Sequence, residues 1–175
     1  MTEKTNYEII DNFFPLDEFN ELYGFLLPPK LIKGQEQLCW GYTHNVINME
    51  GKGEEDWRLL YFVHMAYEHT ILSAMTDKIL PHCKQLNIKT LIRMKINLYP
   101  NTETIKEHGM HIDYDFPHKA GILSINTCDG YTKLEDGTKI DSVANRVLLF
   151  DASKPHCSST TNDQTARFNI NFNYF

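Results

Sequence analysis

No Cys-x-x-Cys pair occurs in these 175 residues. The four cysteines stand apart at Cys39, Cys83, Cys128 and Cys157. That argues against a zinc knuckle or a thioredoxin-type centre and makes free thiols in a reducing compartment the expectation. No apolar run approaches the roughly 20 residues that span a bilayer. The stretch from Met1 to Tyr7 is polar and has no apolar signal core, so a cytoplasmic location without membrane association is expected. Repeats, low-complexity tracts and Pro/Gly/Ser linkers are also missing, and one domain over 1–175 is expected. Positive charge is in short supply: 17 Lys and Arg face 23 Asp and Glu, for a net charge of -6. This balance argues against a large non-specific nucleic-acid surface. A 42% hydrophobic and 12% aromatic content argues against disorder and for an ordinary packed core.

What is present divides into two textures. The first half reads as supporting helices with loops, about 1–88. Residues 7–11 form a short strand, and 16–27 an amphipathic helix stopped by Pro28-Pro29. Glycines break 30–56 into loops that shape a pocket entrance, with a strand near 38–43. Leu60, Val63, Tyr67, Ile71, Met75 and Ile79 recur at three- and four-residue steps, which predicts a long helix over 57–80 ended by Pro81. From about 89 to 175, short apolar runs alternate with turn signals, at 90–99, 108–114, 121–127, 131–134, 138–140, 146–150 and 167–174. Such spacing predicts a mainly β, α+β protein whose core is a jelly roll.

His111-Ile112-Asp113 is the sharpest chemical feature. Two residues apart in a strand share a face, so the imidazole and carboxylate project together. Taken alone the pair is weak, because composition yields about 0.5 such pairs by chance, and a surface His beside a solvated Asp explains the pair by itself better. His156 changes the balance. It follows the apolar run Arg146-Val147-Leu148-Leu149-Phe150-Asp151 and the bend Ser153-Lys154-Pro155. With it, two histidines and one carboxylate complete a facial triad that leaves positions open for O₂ and an organic acid. Eleven positions later, Arg167 opens a strand in which Arg167, Asn169, Asn171 and Asn173 share one face and Phe168, Ile170, Phe172 and Tyr174 the other. The polar row predicts the wall of a polar cavity, where an arginine fork grips a carboxylate. Asn97 and Tyr99 share a face of the strand Arg93-Met94-Lys95-Ile96-Asn97-Leu98-Tyr99-Pro100 and are candidates for binding the same diacid.

The order His-x-Asp, distal His, then Arg resembles the double-stranded β-helix oxygenases that use Fe(II) and 2-oxoglutarate. More narrowly it resembles their prolyl-4-hydroxylase-like branch. Supporting strings are Asn97-Leu98-Tyr99-Pro100, Ile122-Leu123-Ser124-Ile125-Asn126, Asp129-Gly130-Tyr131-Thr132 and Ile9-Ile10-Asp11-Asn12-Phe13-Phe14. The resemblance implies a cupin-like jelly roll, with His111, Asp113 and His156 as iron ligands and catalytic centre. It also implies Arg167 and Tyr99 at the co-substrate, where Asn97 and Asn169, on the polar faces of the same strands, are further candidates. Fe(II), 2-oxoglutarate and O₂ are the implied cofactors, with ascorbate as a reductant. The implied reaction hydroxylates an unactivated C–H bond and releases succinate and CO₂. Two positions depart from the branch: Gly130-Tyr131-Thr132 stands where many relatives have Gly-Gly-x-Thr, and Ser124 where some prolyl hydroxylases have a co-substrate tyrosine. Collagen-type enzymes carry Lys in place of Arg167, so a collagen-like substrate is not implied. Small versions of the domain resemble phage-encoded ones, which implies action in a host cytoplasm.

Four readings stay open at this stage. One is hydroxylation of a peptide or protein side chain, proline included; another is hydroxylation of a small molecule. A third is nucleic-acid dealkylation, against which net acidity counts, as does the lack of a second arginine after Arg167. The last is a non-catalytic cupin-like binding module in which His108 joins the metal site.

Overall fold

Strand β4 (Leu91–Pro100) and strand β10 (Ala166–Tyr174) lie side by side and antiparallel, with Arg167 opposite Tyr99 and Asn171 opposite Lys95. Their alternation sorts side chains onto two faces. Met94, Ile96, Phe168, Ile170 and Phe172 turn to an apolar core, while Lys95, Asn97, Tyr99, Asn169 and Asn171 turn to a narrow cavity. These strands are the centre of the protein in a computed structural model that describes residues 6–27, 38–43 and 59–175.

The remaining elements are β1 (Tyr7–Ile10), α1 (Leu16–Leu26), β2 (Gly41–Thr43), β3 (Tyr61–Glu68), α2 (Met75–Cys83), β5 (Lys119–Ser124), β6 (Tyr131–Leu134), β7 (Lys139–Asp141), β8 (Arg146–Asp151) and β9 (His156–Ser158). They build a seven-stranded sheet, in the order β1-β8-β5-β10-β4-β3-β2, and a three-stranded sheet, β7-β6-β9. All pairings between these strands are antiparallel. The result is the jelly roll expected from the sequence. Helices α1 and α2 pack on one face of the large sheet, through Phe19, Leu22, Leu26, Met75 and Ile79 against Met94, Ile96, Ile170 and Phe172. Each such side chain, fully buried, contributes about 1.5–3 kcal/mol relative to exposure. The other face turns to the small sheet, and the cavity lies between the two.

Asn145 ties the N-terminal segment to this frame. Its backbone is left-handed, at φ 62°, a conformation asparagine tolerates. Its Oδ1 accepts from the Phe14 N–H and its Nδ2 donates to the Phe14 carbonyl, both at 2.9 Å. Phe13 and Phe14 are thereby held in the apolar core. Gly121 serves the same packing: an added Cβ would stand 2.2 Å from the Phe172 ring opposite it.

Three expectations need correction. The helix over 57–80 does not form as such: residues 57–58 lie outside the described residues, 61–68 are β3, and the helix covers 75–83. Tyr61, Phe62 and Val63 favour a pleated surface, and the open edge of β4 gives their backbone hydrogen bonds that a helix period does not reveal. Pro81 lies inside α2 rather than ending it, on an exposed face where Asp77, whose carbonyl it leaves unbonded, is also exposed. The chain turns away later, at Asn87, where φ is 53°. Second, 108–114 is not a strand; it is an irregular segment touching the small sheet at single bridges. Third, residues 1–88 are more than helical support, because β1, β2 and β3 join the large sheet. The strand expected at 38–43 is β2, whereas 30–37 and 44–56 lie outside the described residues, as do Pro28 and Pro29.

Candidate metal centre and polar cavity

His111 belongs to the long connection between β4 and β5, and His156 opens β9 after the turn that follows β8. Their backbones bond reciprocally, His111 N–H to the His156 carbonyl and His156 N–H to the His111 carbonyl, each at 2.9 Å. Flanking bonds join His108 N–H to the Ser158 carbonyl and Asp113 N–H to the Ala152 carbonyl. The two segments run alongside each other out of regular register, so the pairing is bridge-like rather than a ladder. The His111 and His156 rings are 4.5 Å apart, and Nε2 of each stands 3.9 and 3.8 Å from the Asp113 carboxylate oxygens. One ligand atom from each of the three residues falls within 4.8 Å of the others.

Each imidazole has its tautomer set by the backbone. His111 Nδ1 donates to the Gly109 carbonyl at 3.2 Å, and His156 Nδ1 to the Lys154 carbonyl at 3.0 Å. Nε2 is then the unprotonated, lone-pair atom on both rings. Burial, joined by the neighbouring His156, pushes the His111 imidazolium down to about 4. Burial also lowers that of His156. Asp113 is the opposite case. Burial opposes its charge, but Lys95, Arg93, His156 and Asn173 together hold the carboxyl well below the usual range. Arg93 Nη2 donates to Oδ1 at 2.8 Å and Asn173 Nδ2 to Oδ2 at 2.8 Å, with Asn171 Nδ2 more distant at 3.4 Å. Two neutral imidazoles and one carboxylate on one side of a point suit Fe(II) with its other positions open.

The cavity beside the triad is lined from both sheets. Tyr61, Lys95, Asn97, Tyr99, Ile122, Asn169 and Asn171 come from the large one, and Thr132, His156, Cys157 and Ser158 from the small one. Asn97 Nδ2 donates to Asn169 Oδ1 at 2.8 Å across the strands. Arg167 is 1% exposed and stands behind Tyr99 and Thr132. Its Nη1 donates to the carbonyls of Tyr131 and Ser159, and its Nη2 to Thr132 Oγ1 at 2.9 Å. Its guanidinium carbon lies 5.6 Å from the Tyr99 ring centroid. Nε has no partner, and Arg167 has no carboxylate partner among the described residues. A buried cation without a counter-ion is costly to maintain, so this donor edge fits an incoming carboxylate. Gly130 makes room for it: a Cβ there would stand 2.7 Å from the Thr160 carbonyl and 2.8 Å from Arg167 Cδ.

Of the residues expected from the sequence, His111, His156, Tyr99, Asn97 and Asn169 line one cavity, Asp113 stands within 4 Å of both histidines, and Arg167 lies behind Tyr99 and Thr132. The structure leaves His108 out of the metal group: its Nδ1 is bonded to Ser158 at 3.1 Å and its ring packs against Tyr99 and Tyr61. Ser124 is buried at the sheet position opposite Asn169. Given no role were Arg93, Lys95 and Thr132, and Asn173 was expected only as part of the polar wall, not as a donor to Asp113. The period of two along β4 carried the signal for the first two, since Arg93 and Lys95 share the face of Asn97 and Tyr99.

No sequence-family model matches the chain, and no curated protein does. Solved structures do match it. A 2OG-Fe(II) oxygenase family oxidoreductase from Burkholderia pseudomallei superposes with a TM-score of 0.69 at 11% identity, over 98% of this chain and 85% of that one. The viral collagen prolyl hydroxylase of Paramecium bursaria Chlorella virus-1, in its 2OG complex, gives 0.58 at 15% identity, over 99% and 97%. The non-haem α-ketoglutarate-dependent epimerase SnoN of nogalamycin biosynthesis gives 0.63 at 14% identity, over 97% and 77%. In fold, this chain is a double-stranded β-helix of the kind found in the 2-oxoglutarate- and Fe(II)-dependent oxygenases.

Proposed function

We propose that the protein is a single-domain Fe(II)- and 2-oxoglutarate-dependent oxygenase. His111, Asp113 and His156 are its metal ligands, and Arg167, with Thr132 and Tyr99, anchors the far carboxylate of the co-substrate. The observation that carries this reading is the convergence of the three ligand atoms within 4.8 Å beside a polar cavity, with a buried arginine lacking a carboxylate partner among the described residues behind it. When bound, the ferrous ion and the 2-oxo acid supply the chemistry: one oxygen atom of O₂ enters a C–H bond and the other enters succinate, with loss of CO₂.

The protein's own contribution is placement. The carbonyls of Gly109 and Lys154 keep Nε2 of both histidines free to ligate. Arg93 and Asn173 aim the Asp113 carboxylate and keep it ionised. Asn97 Nδ2 donates to Asn169 Oδ1, which orients the two amides in the cavity wall. The enclosing sheets limit water at the reacting centre.

For substrate, a peptide or protein side chain, proline among them, is the favoured class, on the strength of the likeness to prolyl hydroxylases. Met110, Ile112 and Phe116 flank the ligand segment and are exposed, which suits an apolar stretch of chain laid across the mouth. Ascorbate would keep the metal reduced, and a cytoplasmic site of action is proposed; no helix among the described residues is long and apolar enough to cross a membrane. The test is succinate release from 2-oxoglutarate by purified protein with Fe(II) in air, with and without a peptide library. Release that requires both Fe(II) and His111 supports the reading; iron-independent release, or none under any condition, opposes it.

A further inference from the structure

Lys95 is the charged residue of the cavity lining, apart from the histidines, to which the proposed machinery gives no ligand. It lies mid-strand in β4, with Asn171 on one side and Met65 of β3 on the other, and it lines the cavity together with His111 and His156. Among the described residues it makes no hydrogen bond and no ion pair within 4.0 Å. The groups whose charges act on it are Arg93 on its own strand, which repels it, and Asp113 and Glu68, which attract it. Neither carboxylate is its dedicated partner: Asp113 is already bonded to Arg93 and Asn173, and Glu68 sits opposite Arg93 in the sheet.

An ammonium kept inside a cavity without a directly bonded counter-ion costs stability, and an arriving anion reduces that cost. Arg167 poses the same problem at the other end. Its strand position is opposite Tyr99, and Tyr99 is four positions along β4 from Lys95 on the same face. Four residues of strand cover about 13 Å. One cation, Lys95, therefore lines the cavity beside the metal triad, and the other, Arg167, lies behind Thr132 and Tyr99, which line it further along β4.

We propose that Lys95 pairs with the metal-end carboxylate of the 2-oxo acid, so that the co-substrate is held by a cation at both ends. This rests on the oxygenase reading above and adds a residue to it. Burial, with help from Arg93, brings the lysine down to about 8, so it is still mostly charged at neutral pH and regains full charge on meeting a carboxylate.

The experiment uses the full chain loaded with Mn(II) under argon, where binding is read by calorimetry without turnover. The ligands are 2-oxoglutarate, which has both carboxylates, and pyruvate, which keeps the 2-oxo acid head and lacks the far one. Lys95→Met is expected to weaken both ligands about tenfold or more, the loss of one charge-assisted hydrogen bond. Arg167→Met is expected to weaken 2-oxoglutarate alone. Lys95→Arg should restore part of the lost affinity, and Lys95→Met should bind Mn(II) at least as well as the parent, since one repelling cation is gone. Undiminished binding of both ligands by Lys95→Met, with 2-oxoglutarate lost in Arg167→Met, overturns the lysine's role and leaves the oxygenase reading standing. Loss of Mn(II) binding in Lys95→Met also overturns it, by showing a structural role. If the parent binds neither ligand, both readings fall.

Discussion

Arg93 and Asp113 meet at 2.8 Å, Nη2 to Oδ1, inside the protein. The same guanidinium donates through Nε to Asn173 Oδ1 at 3.1 Å and lies 5.0 Å from the Tyr114 ring centroid. Arg93 is thus fixed on three sides and in turn fixes the carboxylate of the proposed metal site. Two effects oppose each other on its removal. A lost cation favours a bound dication, while a lost hydrogen bond frees the carboxylate to rotate. At this distance the direct bond dominates, and Arg93→Met is expected to weaken Mn(II) or Co(II) binding about 10–100-fold. Metal titration of the purified variant checks this; unchanged affinity would show that Asn173 alone suffices.

The metal-free protein should lose stability in mild acid. Burial holds the His111 imidazolium at about 4 against an unfolded value of 6.5. Between those values the unfolded chain binds more protons than the folded one, so stability falls as pH drops from about 6.5 toward 4. His156, lowered for the same reason, acts in the same direction. Thermal unfolding across this range, repeated with a saturating divalent metal, measures it. The slope should flatten in a His111→Asn/His156→Asn variant.

Gly130→Ala should damage the co-substrate end more than the metal end. The new Cβ meets the Thr160 carbonyl at 2.7 Å and Arg167 Cδ at 2.8 Å, and strain of this kind typically costs about 1–3 kcal/mol. Weaker 2-oxoglutarate binding with near-parental Mn(II) affinity is the expected pattern. Equal losses in both would point to a general collapse of the small sheet.

Asn145→Ala removes both side-chain bonds to the Phe14 backbone and puts alanine at φ 62°. A loss of roughly 2–4 kcal/mol is expected from the two bonds and the strained backbone together. Denaturant melts compare it with Asn145→Gly, which relieves the strain but not the bonds and should fall between.

The clustering of the proposed ligands was legible in the chain because each member is short-range in sequence or sits at a strand end. His111 and Asp113 are two apart, and His156 follows an apolar strand and a Pro turn. The polar face of β10 was legible for the same reason, through its strict alternation. The segment around His111 was not. Its bridges to β9 depend on a partner 45 residues away, and nothing local marks where the register slips. The helix expected over 57–80 failed similarly. Val63 and Tyr67 fit both a helical stripe and a half-buried strand, and the free edge of β4 decided between them. Lys95 and Arg93 were visible on the right face. Cations in a cavity wall gain meaning only once the triad is known to lie beside them.

Anaerobic Fe(II) titration followed by addition of 2-oxoglutarate tests the metal assignment most directly. One ferrous ion per chain, with a visible charge-transfer absorption on chelation of the 2-oxo acid, is the expected result, and His156→Ala should abolish both. Equal iron binding and the same absorption in His156→Ala would contradict it.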